Sequence, residues 1–183
     1  VRQIGYGGKR FSDRIEEDSL TIGENNVKFT EDKIFVTCRQ LREQMMVSAI
    51  PATRIQYQAC GYKTGHQPPE DGYVPFEAGM RLSGVDAHYW FHMELHTPIL
   101  TEHQRVALSV TTGREGQWDA TNPQGLIYLN GAIAQGLDVN HTQVALESDK
   151  DYTVDLYFYT GMQGGGMDFI PEVQLTDRRI EEL

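Results

Sequence analysis

The chain is short of several things, and each shortage removes a class of protein. Cysteine is nearly missing: Cys38 and Cys60 are the whole supply, too few for a disulfide framework and without the paired spacing of a zinc site. Both are expected as buried thiols in a reducing compartment, which points to the cytoplasm. Long apolar runs are lacking too. The longest, Leu126–Leu129 and Leu156–Tyr159, are four residues each, against the roughly 20 that a membrane-spanning helix needs. The first residues, Val1-Arg2-Gln3-Ile4, carry no apolar signal core. Positive charge is scarce, with 16 Lys and Arg against 26 Asp and Glu, a net charge of -10. That balance repels phosphate backbones and anionic lipid surfaces, so neither nucleic acid nor a membrane is expected as partner.

What is present is enough for a core. Apolar residues make up 39% and charged residues 23% of 183 positions, a composition that folds and fits one domain better than two small ones. The composition shifts near residue 66, which divides the chain into an N-terminal segment, 1–65, packed on a β-sandwich, 66–183. In the first part, Leu20–Ile22 and Val27–Phe29 flank Gly23-Glu24-Asn25-Asn26 and read as a short hairpin. Thr37 stands three residues before Gln40, a capping-box spacing, with Leu41, Met45 and Ala49 following at helical intervals. The spacing predicts a helix over 38–48, ended by Pro51, in which Met45 and Met46 fill gaps in a core.

Beyond Pro51 the period changes to two. Ile55, Tyr57 and Ala59 alternate with polar residues; Tyr89, Phe91, Met93 and Leu95 interleave with His88, Trp90, His92, Glu94 and His96; Val106, Leu108 and Val110 repeat the pattern. Leu126–Leu129 precedes Asn130-Gly131, a pair that tolerates the positive φ of a tight hairpin turn, and Ile133 continues the return strand. Val144–Leu146 and Tyr152–Tyr159 add two more strands. Short strands with scarcely a helix between them predict an all-β protein, an antiparallel β-sandwich of jelly-roll or galactose-binding-like type, with one or two short N-terminal helices.

The most tempting chemistry is His88, His92 and His96, whose spacing would seat zinc on a helix. Strict alternation makes this stretch a strand instead, where positions four apart share a face but lie about 13 Å apart. Ligands of one zinc ion sit within about 2.1 Å of it. The three therefore read as polar residues on the outer side of a strand. A sugar site would need aromatics beside planar polar groups, which Trp118, Asp119, Asn122, Asp138, Asn140 and His141 supply in two loops, although Asp and Asn also populate turns for backbone reasons. No Gly-x-Ser-x-Gly elbow and no local cysteine signature occurs. Gly5–Gly8 and Gly164–Gly166 lack the Lys-Ser/Thr ending of a phosphate loop. The 26 acidic residues offer no spacing that singles out a glycosidase carboxylate pair.

One set of local sequences adds to this reading: Phe76-Glu-Ala-Gly79, Trp90-Phe91, Trp118-Asp119-Ala-Thr-Asn-Pro-Gln124, Tyr128-Leu-Asn-Gly131 and Gln135-Gly-Leu-Asp-Val-Asn-His141. From about Tyr73 to Pro171 the chain resembles the N-terminal β-sandwich that precedes the catalytic domain in cytosolic-type α-mannosidases of glycoside hydrolase family 38. The resemblance implies a parent enzyme that removes α-mannosyl residues with retention, using zinc and an Asp nucleophile in a downstream domain that begins with a His-x-Asp motif. None of His66, His88, His92, His96, His103 and His141 is followed two residues later by Asp, so no catalytic or metal-binding role passes to this chain. It implies no cofactor here and zinc in the parent's catalytic domain. The partners it implies are that downstream domain, a second copy in a homo-oligomer, or a mannoside. The finish at Leu183, inside the polar run from Thr176, reads as a fragment of a longer protein.

Three functions compete on these grounds. The first is a non-catalytic accessory domain of an α-mannosidase, with Trp118–Gln124 and Gln135–His141 as its contact loops. The second is a free-standing carbohydrate-binding module, which needs Trp90 or Trp118 exposed above converging hydrogen-bonding groups. The third, an independent zinc hydrolase, needs 88–96 to be helical.

Overall fold

A computed structural model describes residues 29–62, 67–77, 79–116, 122–163 and 166–181. The hairpin expected around 20–29 and the turn residues Gly5–Gly8 lie outside them, apart from Phe29. The chain divides into two compact units, Val1–Gln44 and Met45–Leu183. In the first unit the described part is helix α1, residues 29–45, whose last residue already belongs to the second. It is not the core helix expected over 38–48. Leu41 and Met45 are half-buried, while Phe29, Ile34, Phe35 and Val36 are exposed, and Thr37 sits in mid-helix rather than at a cap.

Strand β1, Met46–Pro51, takes over where the helix was expected to continue. Helical spacing of Met45 and Ala49 is overridden because β1 finds a partner: Ser48 to Pro51 pair with Leu175 to Glu172 of β10, Ile170–Asp177. Cross-strand bonds and side-chain contacts outweigh local preference. Pro51 is tolerated because β1 is an edge strand that it ends.

The remaining strands are β2 (Gln56–Cys60), β3 (Val74–Pro75), β4 (His88–His96), β5 (Gln104–Thr111), β6 (Gln124–Leu129), β7 (Ala132–Leu137), β8 (Gln143–Leu146) and β9 (Asp151–Tyr159), and helix α2 follows β10 at Arg178–Glu181. They form two antiparallel sheets, β1-β10-β5-β8 and β3-β2-β4-β9-β6-β7. This is the all-β sandwich that the period-two alternation predicts. With the β2 and β3 insertion set aside, eight strands alternate between the sheets except at the β6–β7 hairpin, which stays in one; the first and last are neighbours in one sheet, the second and seventh in the other. That is jelly-roll winding.

Inward-facing residues of both sheets make one core from Phe91, Met93, Leu108, Ile127, Val154, Leu156, Phe158 and Met167 among others. Phe91 stacks on Phe169 at 3.6 Å between ring centroids, with Phe76 and Phe158 edge-on. Burial of each such side chain contributes about 1.5–3 kcal/mol. Gly125 is required here: a Cβ on it would lie 2.8 Å from the Phe158 ring. At the β6–β7 hairpin, Asn130 and Gly131 take φ of 52° and 79°, the left-handed pair that a two-residue turn of this hand demands. No helix of the described residues is long and apolar enough to cross a membrane.

Candidate functional site

Residues directly opposite one another on paired strands share a face, so the register fixes what the outer side of the six-stranded sheet presents. One rung carries Cys60, His88, Tyr159 and Gln124; the next carries Gln58, Trp90, Tyr157 and Leu126; a third carries Gln56, His92, Asp155 and Tyr128. Glu94 with Thr153, then His96 with Asp151, continue towards the far end of β4 and β9. Phe91 and Met93 point the other way, into the core.

The three histidines are thus on the outer side, on separate rungs of an extended strand, and the helix that a zinc hydrolase reading requires is not formed. Each has a neighbour of its own. The Tyr157 hydroxyl lies 2.6 Å from His88 Nδ1, and the His88 ring makes interplanar angles of 20° and 23° with those of Tyr157 and Tyr159. Burial pushes the Tyr157 hydroxyl up to about 12, so it keeps its proton and can donate it to the ring nitrogen. His92 Nδ1 stands 2.7 Å from the buried Asp155 carboxylate. His96 Nδ1 stands 2.9 Å from Asp151, at the exposed end.

In the middle of this face the sheet builds a second, smaller core. Trp90, Tyr128 and Tyr157 are buried together, with Cys60, Tyr73 and Leu126 packed on them. Trp90 is only 4% exposed, so it is not the open platform that a sugar-stacking tryptophan would have to be. Cys60 is half-buried in this cluster and Cys38 is exposed on α1, which corrects the expectation of two buried thiols. Tyr73 lays its ring 5.4 Å from that of His92, and its buried hydroxyl has no hydrogen-bond partner. Burial first, and the Asp155 charge second, push that hydroxyl well above the ordinary tyrosine range.

On either side of this cluster the face opens. Towards His88 lies a recess of about 610 Å³ lined by Tyr62, Asp86, His88, Gln124, Leu126, Tyr157 and Tyr159. Its rim residue Asp86 has a φ of 55° and is anchored by its N–H to the Gly161 carbonyl at 2.9 Å. Burial, then the Asp86 charge, raises the Tyr159 hydroxyl. Towards His96 lie two polar recesses of about 580 and 420 Å³ that share Arg54 and Glu94. Arg54, with a φ of 55°, holds a backbone conformation that costs a non-glycine residue about 1–2 kcal/mol.

The residues expected to form a sugar or domain contact lie elsewhere. Trp118 and Asp119 fall outside the described residues. Asn122 precedes a cis peptide to Pro123 and packs on Gly161, where an added Cβ would meet it at 2.8 Å. Asp138, Asn140 and His141 are brought together, but by their own turn: one Asp138 oxygen accepts the N–H groups of Asn140 and His141 at 2.7 and 2.8 Å, and lies 3.0 Å from His141 Nδ1. The Asn140 N–H foremost, then the His141 side chain, hold the Asp138 carboxyl below the usual range. This loop and Asn122 sit at the same end of the β6–β7 hairpin, because Gly125 pairs with Leu137. The turn-forming alternative for Asp and Asn is the one seen here.

Residue patterns alone missed Tyr62, Asp86, Tyr157 and Tyr159, and named Gln124 only as the end of the Trp118–Gln124 contact loop. The signal for two of them was present in Tyr157-x-Tyr159, whose alternation puts both rings on one face, but only the strand register adds His88 and Gln124. Compared with protein-family models the chain matches none, and no curated protein matches it.

Proposed function

We propose that the chain is a non-catalytic β-sandwich accessory to an α-mannosidase, active in the cytoplasm, where it packs against a zinc-dependent catalytic domain carried outside these residues or joins a second copy of itself. One observation carries the reading: the described residues of the local sequences that resemble family 38 serve the scaffold. Phe76 and Phe91 are core, Trp90 centres the outer cluster, and Gly79 takes a φ of 83°. Asn130 Oδ1 accepts the Thr153 N–H at 2.8 Å beside Gly131, Gln135 Nε2 donates to the Gln143 carbonyl at 2.6 Å, Leu137 and Val139 are buried, and Asp138 caps its turn. A sequence resemblance spent on turns and core describes a support, and the reacting groups then belong to the partner domain.

The reading predicts that this chain alone hydrolyses no aryl α-mannoside. It also predicts that, co-expressed with a family 38 catalytic domain stripped of its own sandwich, it co-elutes with that domain and raises its soluble, chelator-sensitive activity. Hydrolysis by the chain alone that survives dialysis against a chelator would sink the proposal, and so would a catalytic domain that elutes without it and gains nothing.

A further inference from the structure

We infer that the recess at the His88 end of the six-stranded sheet is a binding site for a neutral hexopyranose. Its volume of about 610 Å³ lies within the range of small-molecule sites, roughly 300–1,000 Å³. Two kinds of group line it. Tyr62, Tyr157 and Tyr159 supply ring surface, Asp86 and Gln124 supply hydrogen-bonding atoms, and His88 holds the wall between them. A pyranose is a ring with C–H bonds on its faces and hydroxyls at its edge, so it needs both. The electron-rich face of an aromatic ring attracts the C–H side. A carboxylate offers two acceptor oxygens and a primary amide offers a donor and an acceptor, which together suit neighbouring hydroxyls.

The walls are held in place before any ligand arrives. His88 has its ring centroid 5.7 and 4.9 Å from those of Tyr157 and Tyr159 and lies within hydrogen-bond distance, 2.6 Å, of the Tyr157 hydroxyl. Asp86 is fixed by its N–H to Gly161. A rigid site loses less ordering entropy on binding. Tyr62, 70% exposed, sets its ring 5.9 Å from that of His88 at the edge of the recess.

Charge selects among ligands. Asp86 in the wall and a net charge of -10 on the chain disfavour phosphorylated or carboxylated sugars. A quaternary ammonium would want rings arranged as a box around the cation, whereas the His88 ring lies within 20° and 23° of parallel to those of Tyr157 and Tyr159 and the three build no box. The inference stands on this recess alone and does not require the α-mannosidase reading.

The test is saturation-transfer NMR and titration of the chain with methyl α-D-mannopyranoside, methyl α-D-glucopyranoside and choline. Binding of at least one hexoside is expected, with saturation strongest at its ring C–H protons. Tyr62→Ala and Gln124→Ala, both at exposed positions, should each weaken it about tenfold, which is about 1.4 kcal/mol. Gln174→Ala on the opposite sheet should leave it unchanged. The inference is overturned if neither hexoside binds at millimolar concentration, if choline binds in their place, or if hexoside binding survives both substitutions in the recess. Loss of sugar binding with the catalytic-domain association intact refutes this inference only; the converse refutes only the accessory-domain proposal.

Discussion

The two sheets obey the same rule on their inner faces and differ on their outer ones. On the four-stranded sheet, Ala107 pairs with Ala145 and Ser109 with Gln143, and the amides of Gln143 and Gln174 meet at 2.9 Å, with Gln174 donating on to Glu172 at 3.2 Å. Small and polar side chains on this face make hydrogen bonds among themselves. The six-stranded sheet spends the corresponding positions on Trp90, Tyr128, Tyr157 and three histidines, each with its own hydroxyl or carboxylate neighbour. A sandwich needs only one core to hold its two layers together. The second aromatic cluster therefore exceeds what the fold requires, and the recesses open beside that cluster. This jelly roll thus carries its extra side-chain volume and its buried polar pairs on one outer face.

The contrast can be broken by substitution. Trp90→Ala should lower the free energy of unfolding in urea by about 3–5 kcal/mol, as for a buried aromatic in a main core, because Tyr128 and Tyr157 lose a shared neighbour at 5.6 and 5.3 Å. A loss below about 1 kcal/mol, the size expected of an ordinary surface change, would reduce the cluster to loose surface packing. His92→Ala should cost about 1–3 kcal/mol, since it leaves the Asp155 carboxylate buried without the imidazole at 2.7 Å. If Asp155→Asn in the His92→Ala background restores nothing, the histidine does not act through Asp155. On the other face, Gln174→Ala should stay within about 0.5 kcal/mol of the parent. An equal loss at Gln174 and Trp90 would erase the distinction between the two faces.

These elements also show where the sequence could be read and where it could not. Strand β4 was legible because nine residues alternate without interruption and both faces have work to do. The β6–β7 turn was legible because Asn-Gly has a conformational reason to be there. The exchange of helix for strand at Met46 was not: local spacing favours the helix, and the opposing information sits in Leu175 to Glu172, about 125 residues away. Strand β10 itself was missed because Pro171 near its start argues against a central strand, yet Pro171 needs no amide donor where its carbonyl already accepts the Ala52 N–H. The recess was hidden for the same reason. His88 and Tyr157 are 69 residues apart in the chain, and only the pairing of β4 with β9 brings them together. Asp138 and Asn140 were read as polar loop residues, and the structure adds that Asp138 holds its own turn, because the same chemistry that would hold a sugar hydroxyl also holds a backbone N–H.

The smallest expected effect lies at the corner where β7 leaves the six-stranded sheet and β8 joins the four-stranded one. Asp138 there bonds the N–H groups of Asn140 and His141, and the Asn140 bond foremost holds its carboxyl below the ordinary value, near 3.9 for an aspartate. A depressed carboxyl contributes its stabilisation in full above the unfolded-state value and loses it as pH falls through the folded-state value. The protection factors of the Asn140 and His141 amides, taken relative to the intrinsic exchange rate at each pH, should therefore fall on acidification through that window. Protection of the β5 and β9 amides, which rest on strand pairing, should persist to lower pH. Asp138→Ala should show the low protection already at neutral pH, with no further loss on acidification. Amide exchange at Asn140 that is identical in the parent and in Asp138→Ala at pH 7 would mean that the turn is held by its backbone bond from Asp138 N–H to the His141 carbonyl at 3.1 Å, and that the carboxylate is free to serve a partner after all.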